Sequence, residues 1–140
     1  MKKMMLAFVA FTIFGAISYG QCDKNVIFTS SKTEYLDSNL TLQRSVDEKT
    51  VIEISKTGVT ITPGTNKMSG TIKSSSCKWT VPFKVGKSVI KAPIKDPSGD
   101  VKNVTLTFEG KDGKVTLLVE IEDDANKKIR VVADSFEEAK

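Results

Sequence analysis

Apolar and polar residues alternate with a period of two along most of the chain beyond residue 25. The clearest stretch covers residues 77–84, where one face collects Cys77, Trp79, Val81 and Phe83. Such alternation is typical of a half-buried β-strand. Pro82 cannot donate a backbone hydrogen bond, so we expect this strand to lie at a sheet edge or to carry a bulge. No stretch before residue 134 shows a convincing helical period.

Two β-hairpins are indicated by paired alternating runs around glycine-containing turns. The stronger hairpin joins residues 104–109 to residues 115–121 through the turn at residues 110–113. The second joins residues 50–55 to residues 59–62 through the turn at residues 56–58. Polar turn clusters at residues 47–49, 96–100 and 123–126 separate the remaining strand candidates, which are residues 25–30, 39–45, 67–73, 88–94 and 128–133. Gly70, inside one of these candidates, suggests a bulge.

Short strands spaced roughly ten residues apart predict a single all-β domain over residues 21–140. Because most connections are too short to cross a sheet, we expect an antiparallel meander that closes as an up-and-down β-barrel, with a β-sandwich as the alternative. Ser135 and Glu138 form a capping box, which predicts one short helical turn at the C-terminus. An eight-stranded barrel is either filled by its side chains or holds one small ligand, and the sequence leaves both open.

The first twenty residues have the features of a secretory signal peptide. Lys2 and Lys3 precede an uncharged run over residues 6–17, which is shorter than the ~20 residues that span a bilayer as a helix. Ser18 and Gly20 place cleavage after Gly20, or alternatively after Ser18, with export to the periplasm or the cell exterior. Cleavage leaves 19 basic and 17 acidic side chains, which lowers the net charge from +4 to +2.

The chain has two cysteines, Cys22 and Cys77. Because an exported protein meets oxidising conditions, we expect them to form a disulfide bond. Two free thiols and lipid attachment at Cys22 are the alternatives, although Gln21 is larger than the residue that usually precedes an acylated cysteine.

The absence of histidine excludes several chemistries at once. Without it the chain has no Ser-His-Asp or Cys-His nucleophile system and no histidine zinc ligand. An S-x-x-K match at residues 75–78 and a K-T-G match at residues 56–58 occur in the wrong order for a β-lactamase, and the former leads into a strand instead of a helix. The oxygen-rich turns lack calcium-loop spacing. We therefore expect a protein that is not an enzyme and has no metal or cofactor.

One carboxylate pair is compatible with hydrolase chemistry. Glu120 and Glu122 share a strand face, with about 6.5–7 Å between their Cα atoms, a separation that would suit a pair of glycosidase acids. A simpler explanation is that the solvent-exposed face of a strand needs charged side chains to keep the protein soluble.

Two functions remain as hypotheses. The first is an exported binding module with a small apolar or amphipathic ligand inside the barrel. This hypothesis fails if the purified protein carries no extractable ligand and the barrel has no cavity above ~300 Å³. Its candidate cavity or core residues are Trp79, Val81, Phe83, Leu106, Phe108 and Leu117. The alternative is an interaction protein that binds an anionic glycan or a protein through a sheet edge or a lysine-rich face formed by Lys78, Lys84, Lys87 and Lys91. Nucleic acid is not expected, because only Arg44 and Arg130 could make bidentate phosphate contacts.

Overall fold

A computed structural model describes Cys22 and residues 24–139, and it consists almost entirely of β-strands. The proposed signal peptide and its cleavage site lie outside the described residues. In chain order the strands are β1 (Val26–Leu36), β2 (Leu42–Ile54), β3 (Gly58–Pro63), β4 (Met68–Thr71), β5 (Ser74–Val81), β6 (Val85–Lys95), β7 (Val101–Lys111), β8 (Lys114–Ile121), β9 (Lys128–Val132) and β10 (Ser135–Glu138). Within this part of the chain, no helix has the length and apolar character needed to cross a membrane.

Eight of these strands form a closed antiparallel barrel. Neighbours pair in the order β1-β2-β3-β4-β6-β7-β8-β9. The pairing of β9 with β1, from Thr33 opposite Val131 to Leu36 opposite Lys128, closes the ring. The predicted all-β meander barrel is therefore confirmed, and the sandwich alternative is wrong.

The barrel has two ends, which the turns define. At the upper end lie the β3–β4 turn (residues 64–67) and the β6–β7 turn (residues 96–100). The β5–β6 turn (residues 82–84) and the β7–β8 turn (residues 112–113) lie at the lower end. Asp112 and Gly113 both have positive φ, 55° and 83°, as a tight hairpin turn requires. Gly110 and Lys111, expected in this turn, belong instead to β7.

Strands β5 and β10 are additions to the barrel at its lower end. β5 pairs with β6, and β10 pairs with the first part of β1. The helical turn expected at Ser135–Glu138 is therefore wrong. The strand is preferred because Ser135 forms a hydroxyl–hydroxyl hydrogen bond of 2.6 Å with Thr29 and because Phe136 packs among aromatic rings of the core.

Two further local expectations are wrong. Residues 47–49 form no turn, since β2 runs through them without interruption. Gly70 makes no bulge, because it stands in regular register opposite Val59. A side chain at Gly70 would instead overlap the backbone oxygen of Pro93, so the glycine allows β4 to approach β6 closely.

The lower half of the barrel contains an aromatic cluster. The Phe136 ring lies 5.1–5.9 Å, between ring centroids, from the rings of Phe28, Trp79, Phe83 and Phe108. The buried Trp79 Nε1 donates a hydrogen bond of 2.7 Å to the Ser88 hydroxyl, which satisfies the one polar atom of the indole. The rings therefore pack against one another at this end of the barrel, next to a second cavity of about 270 Å³ whose lining includes Phe108 and Phe136.

A disulfide bond joins Cys22 to Cys77 of β5, with 6.0 Å between their Cα atoms. The predicted bridge is therefore confirmed. Because disulfides persist in oxidising compartments, the bond indicates an extracellular or periplasmic environment. It also ties the start of the described chain to the lower end of the barrel.

Candidate functional site

The upper half of the barrel encloses a cavity of about 250 Å³. We call it the upper cavity. Each of the eight barrel strands contributes at least one side chain to its lining. Its apolar lining residues are Ile52, Ile61, Pro63, Met68, Ile94, Val104, Leu117, Val119, Ile121, Ile129 and Val131. The cavity is therefore the interior of the barrel above the aromatic cluster.

The polar side chains that strands contribute to the upper cavity, apart from Lys102, come from one side. Strands β1 and β2 supply Thr33, Tyr35, Glu48 and Thr50, which we call the polar wall. A register shift between Ser30 and Lys32 in β1 lets Ser30 and then Thr33 be buried, while Ser31 and Lys32 remain exposed. The bulge therefore decides which β1 side chains reach the interior.

Charged residues surround the mouth of the upper cavity. Glu48, Asp96 and Asp100 are acidic and Lys102 is basic, so acidic groups are in excess. Asp96 Oδ1 accepts hydrogen bonds from the Ser98 hydroxyl at 2.7 Å and from the backbone N–H groups of Ser98 and Asp100, each at 3.0 Å. The Ser98 hydroxyl bond is the main reason that the pKa of Asp96 lies below its ordinary value of 3.8. Asp96 therefore keeps its negative charge at neutral pH.

Two buried hydroxyl groups, one from a residue of the polar wall and one from its neighbour on β1, lack hydrogen-bond partners among the described residues. The side chains of Ser30 and Thr50 belong to residues that are 1% and 5% exposed. The structure gives neither Ser30 Oγ nor Thr50 Oγ1 a partner among the described residues. The two residues stand directly opposite each other on β1 and β2, and Thr50 lines the upper cavity.

The six candidate cavity or core residues do not share one environment: some lie in the core, one lines the upper cavity and one is exposed. Trp79, Leu106 and Phe108 are buried in the core, whereas Leu117 is both buried and part of the cavity lining. Phe83 lies in the β5–β6 turn against Phe136. Val81 is 44% exposed, because a register shift after Trp79 turns it away from the interior. The alternation that placed Val81 beside Trp79 is therefore interrupted at Thr80.

The lysine-rich face is brought together on the outside of the barrel. Lys78 of β5 and Lys87 of β6 are direct cross-strand neighbours. Lys84 lies in the adjoining turn, and Lys91 follows Lys87 along β6 on the same face. All four are exposed, and none has an ion-pair partner among the described residues.

The two carboxylates of the candidate pair, Glu120 and Glu122, line one open cavity of about 430 Å³ together with several lysines. Glu120 Oε2 accepts a hydrogen bond of 2.7 Å from Lys128 Nζ, which ties this carboxylate to the neighbouring strand. Glu122 lies beyond the end of β8, and its backbone N–H donates to the Asn103 carbonyl oxygen. No group of three or more acidic or cysteine side chains suited to a metal ion occurs within the described part of the chain.

Comparisons of the chain with protein-family models, with curated proteins and with solved structures find no match.

Proposed function

We propose that this protein is an exported, non-catalytic binding module that holds one small, mainly apolar ligand in the upper cavity. The observation that carries the proposal is a hollow, largely apolar barrel interior to which all eight strands contribute. Protein interiors are normally packed as densely as organic crystals. An eight-stranded barrel can nevertheless enclose one small ligand, and apolar concavities with a few polar groups are the usual form of ligand sites.

The volume of the upper cavity limits the size of the ligand. Its volume of about 250 Å³ is below the ~300 Å³ that we set for the hollow barrel, and below the range of typical sites for drug-sized molecules. An apolar cavity of ~150 Å³ accommodates benzene. By proportion, the upper cavity accommodates a ligand of about ten non-hydrogen atoms.

Two features support export and the lack of catalysis. The charge pattern and the small residues of the first twenty positions favour a cleaved signal peptide, and the disulfide bond fits the same destination. The chain has no histidine, and Glu120, one of the two carboxylates of the candidate pair, forms an ion pair with Lys128. The proposal therefore assigns the protein a binding role in the periplasm or outside the cell.

A cavity-filling substitution tests the proposal. Val119 lines the upper cavity, so Val119→Phe should fill it and abolish binding of propylbenzene, an apolar probe of about the permitted size. Val85→Phe is the matched control, because Val85 is partly exposed at the lower end. Binding is measured by NMR chemical-shift changes, with circular dichroism to show that both variants fold.

The expected result is saturable binding by the wild type and by Val85→Phe, with none by Val119→Phe. Propylbenzene that does not bind to the wild type, or that binds equally to both variants, would contradict a ligand site in the barrel. Native mass spectrometry of the purified protein provides a second measurement, since a bound small molecule adds a discrete mass that Val119→Phe should lose.

The lysine-rich face supports a second candidate function, binding to an anionic glycan. Like charges directly opposite each other on neighbouring strands are destabilising, and an anion would relieve this repulsion between Lys78 and Lys87. We expect the wild type to bind a heparin column and Lys78→Gln/Lys87→Gln to elute at lower salt. Lys32→Gln/Lys49→Gln, with the same charge loss on exposed positions of β1 and β2, is the control. Equal changes in both variants would indicate an effect of net charge alone.

A further inference from the structure

We propose that the lower end of the barrel holds a second binding site, which takes a small amphipathic anion with its charged head group at Lys24 and Lys56 and its apolar tail inside the opening. This site is separate from the upper cavity, and the inference does not depend on a ligand there.

The site is the cavity of about 270 Å³ beside the aromatic cluster, which we call the lower cavity. It opens below β4, where β5 continues along β6 and has no second strand partner among the described residues. Its lining comes from the β2–β3 turn (residues 55–57) on one side and from β5 on the other. Cys22, which the disulfide bond ties to β5, lies at the same opening. The lower cavity is therefore a cleft that a small molecule can enter from solvent.

The accessible apolar surface of the lower cavity belongs to half-buried residues. Ile54, Ile72 and Phe136 line the cavity, and each packs against the core while part of its surface remains exposed. The disulfide-bonded Cys22 and Cys77 are also half-buried and belong to the same lining. Apolar surface that a ligand removes from water adds to its affinity. The interior of the cleft therefore favours a ligand with an apolar tail.

The charged side chains that line the lower cavity are Lys24 and Lys56, and no acidic side chain of the described residues joins them. The two lysines come from neighbouring strands, because each lies two residues beyond the antiparallel pair of Val26 and Ile54. Lys56 has no ion-pair partner within the described chain, and Lys24 Nζ lies 3.9 Å from a carboxylate oxygen of the exposed Glu138. Because like charges on neighbouring strands repel, an anion at the opening would relieve the repulsion between the lysines.

A hydroxyl group adds a hydrogen-bond donor to the opening. Ser75 stands opposite the buried Ile90 of β6, which places it on the inner face of β5, and it is nevertheless exposed because the cleft lies beside it. Its hydroxyl has no hydrogen-bond partner among the described residues. An anionic head group carries only acceptor atoms, so it can accept from this hydroxyl and from both lysines.

Three probes with the same eight-carbon chain test the charge of the head group: octanoate, 1-octanol and octylammonium. By the proportion used for the upper cavity, the lower cavity accommodates about eleven non-hydrogen atoms, which is about the size of octanoate. We expect octanoate to bind about three- to tenfold more tightly than 1-octanol at low salt, the gain typical of two exposed ion pairs. Octylammonium should bind most weakly, and high salt should reduce the advantage of octanoate.

NMR titrations at neutral pH give the dissociation constants and locate the probes. Amide chemical-shift changes at Ile72 and Ser75 report the lower cavity, whereas changes at Tyr35 and Val119 report the upper cavity. The two sites are therefore observed separately in the same wild-type sample.

Charge variants assign the effect to the two lysines. Lys24→Gln/Lys56→Gln should remove the advantage of octanoate and leave the binding of 1-octanol unchanged. Lys32→Gln/Lys49→Gln has the same charge loss at exposed positions of β1 and β2, and it should retain the advantage.

A blocking variant assigns binding to the cleft itself. Ser75→Phe places a ring in the opening and should weaken the binding of octanoate and 1-octanol alike. Ser74→Phe is the matched control, because Ser74 is an exposed neighbour on the opposite face of β5 and does not line the lower cavity. Circular dichroism shows whether each variant folds.

The outcomes separate this inference from the proposed function. If 1-octanol or octylammonium binds the lower cavity as tightly as octanoate, or if both charge variants lose the advantage equally, the anionic class is wrong. If octanoate shifts only the amides of the upper cavity, or if Ser74→Phe and Ser75→Phe bind it equally, the lower cavity is not the site. A failure of propylbenzene to bind the upper cavity contradicts the proposed function alone.

Discussion

Replacement of both cysteines, Cys22→Ser with Cys77→Ser, is expected to lower the free energy of unfolding by about 4 kcal/mol in the chain-entropy model of disulfide stabilisation. The bridge spans a sequence separation of 55 residues, so its loss releases a long loop in the unfolded chain. Since domains of this size have total stabilities of about 5–15 kcal/mol, the loss would be a large fraction of the total. Equilibrium urea unfolding, monitored by the fluorescence of the single tryptophan, Trp79, measures the change.

Reduction of the wild type provides the matched control for the disulfide. Wild-type protein in dithiothreitol should unfold at the midpoint of the double variant, and the double variant itself should not respond to the reductant. An oxidised wild type that is no more stable than the variant would show that the bridge does not constrain the unfolded chain.

Truncation of Leu106 to alanine is expected to lower the free energy of unfolding by about 2–5 kcal/mol, the range for buried Leu→Ala substitutions. Leu106 is fully buried, and its strand lies between β6 and β8, where its cross-strand neighbours are Ile90 and Val119. The substitution removes apolar contacts and leaves a void in the packed part of the barrel. Urea unfolding again measures the effect.

Leu42→Ala is the control for this prediction because the same atoms are removed from a side chain that is 50% exposed. Exposed substitutions of this kind usually change stability by less than ~0.5 kcal/mol. If the two variants lose equal stability, the interior around Leu106 is not close-packed.

The fold could be predicted because strand alternation and turn residues are local signals. Residues 104–121 alternate on both sides of Asp112 and Gly113, so the β7–β8 hairpin is visible without any tertiary information. The C-terminal strand could not be predicted in this way. Its capping-box pattern favours a helix locally, whereas the partners of Phe136, such as Phe28, are distant in sequence.

The candidate site was less accessible to sequence reasoning than the fold. A cavity depends on how the strands are staggered around the barrel, and the stagger follows from pairings that join residues as distant as Thr33 and Val131. The bulge between Ser30 and Lys32 changes which residues of β1 are buried, and nothing in that polar stretch marks its position. Of the six residues proposed from alternation, Leu117 alone lines the upper cavity.

The length of β2 has a consequence for self-association. Its residues from Leu42 to Glu48 extend past β3, whose pairing begins opposite Thr50, so within the described chain this stretch has a strand partner on one side, β1. Exposed edges of this kind can recruit another chain into a continuous sheet, and proteins commonly oppose this with charged side chains. Arg44, Asp47 and Glu48 lie within the overhanging stretch, and Lys49 follows it. Residues 47–49, whose charges suggest a turn in the sequence, therefore place charged side chains at or beside an unpaired strand edge, which is the arrangement that opposes edge-to-edge association.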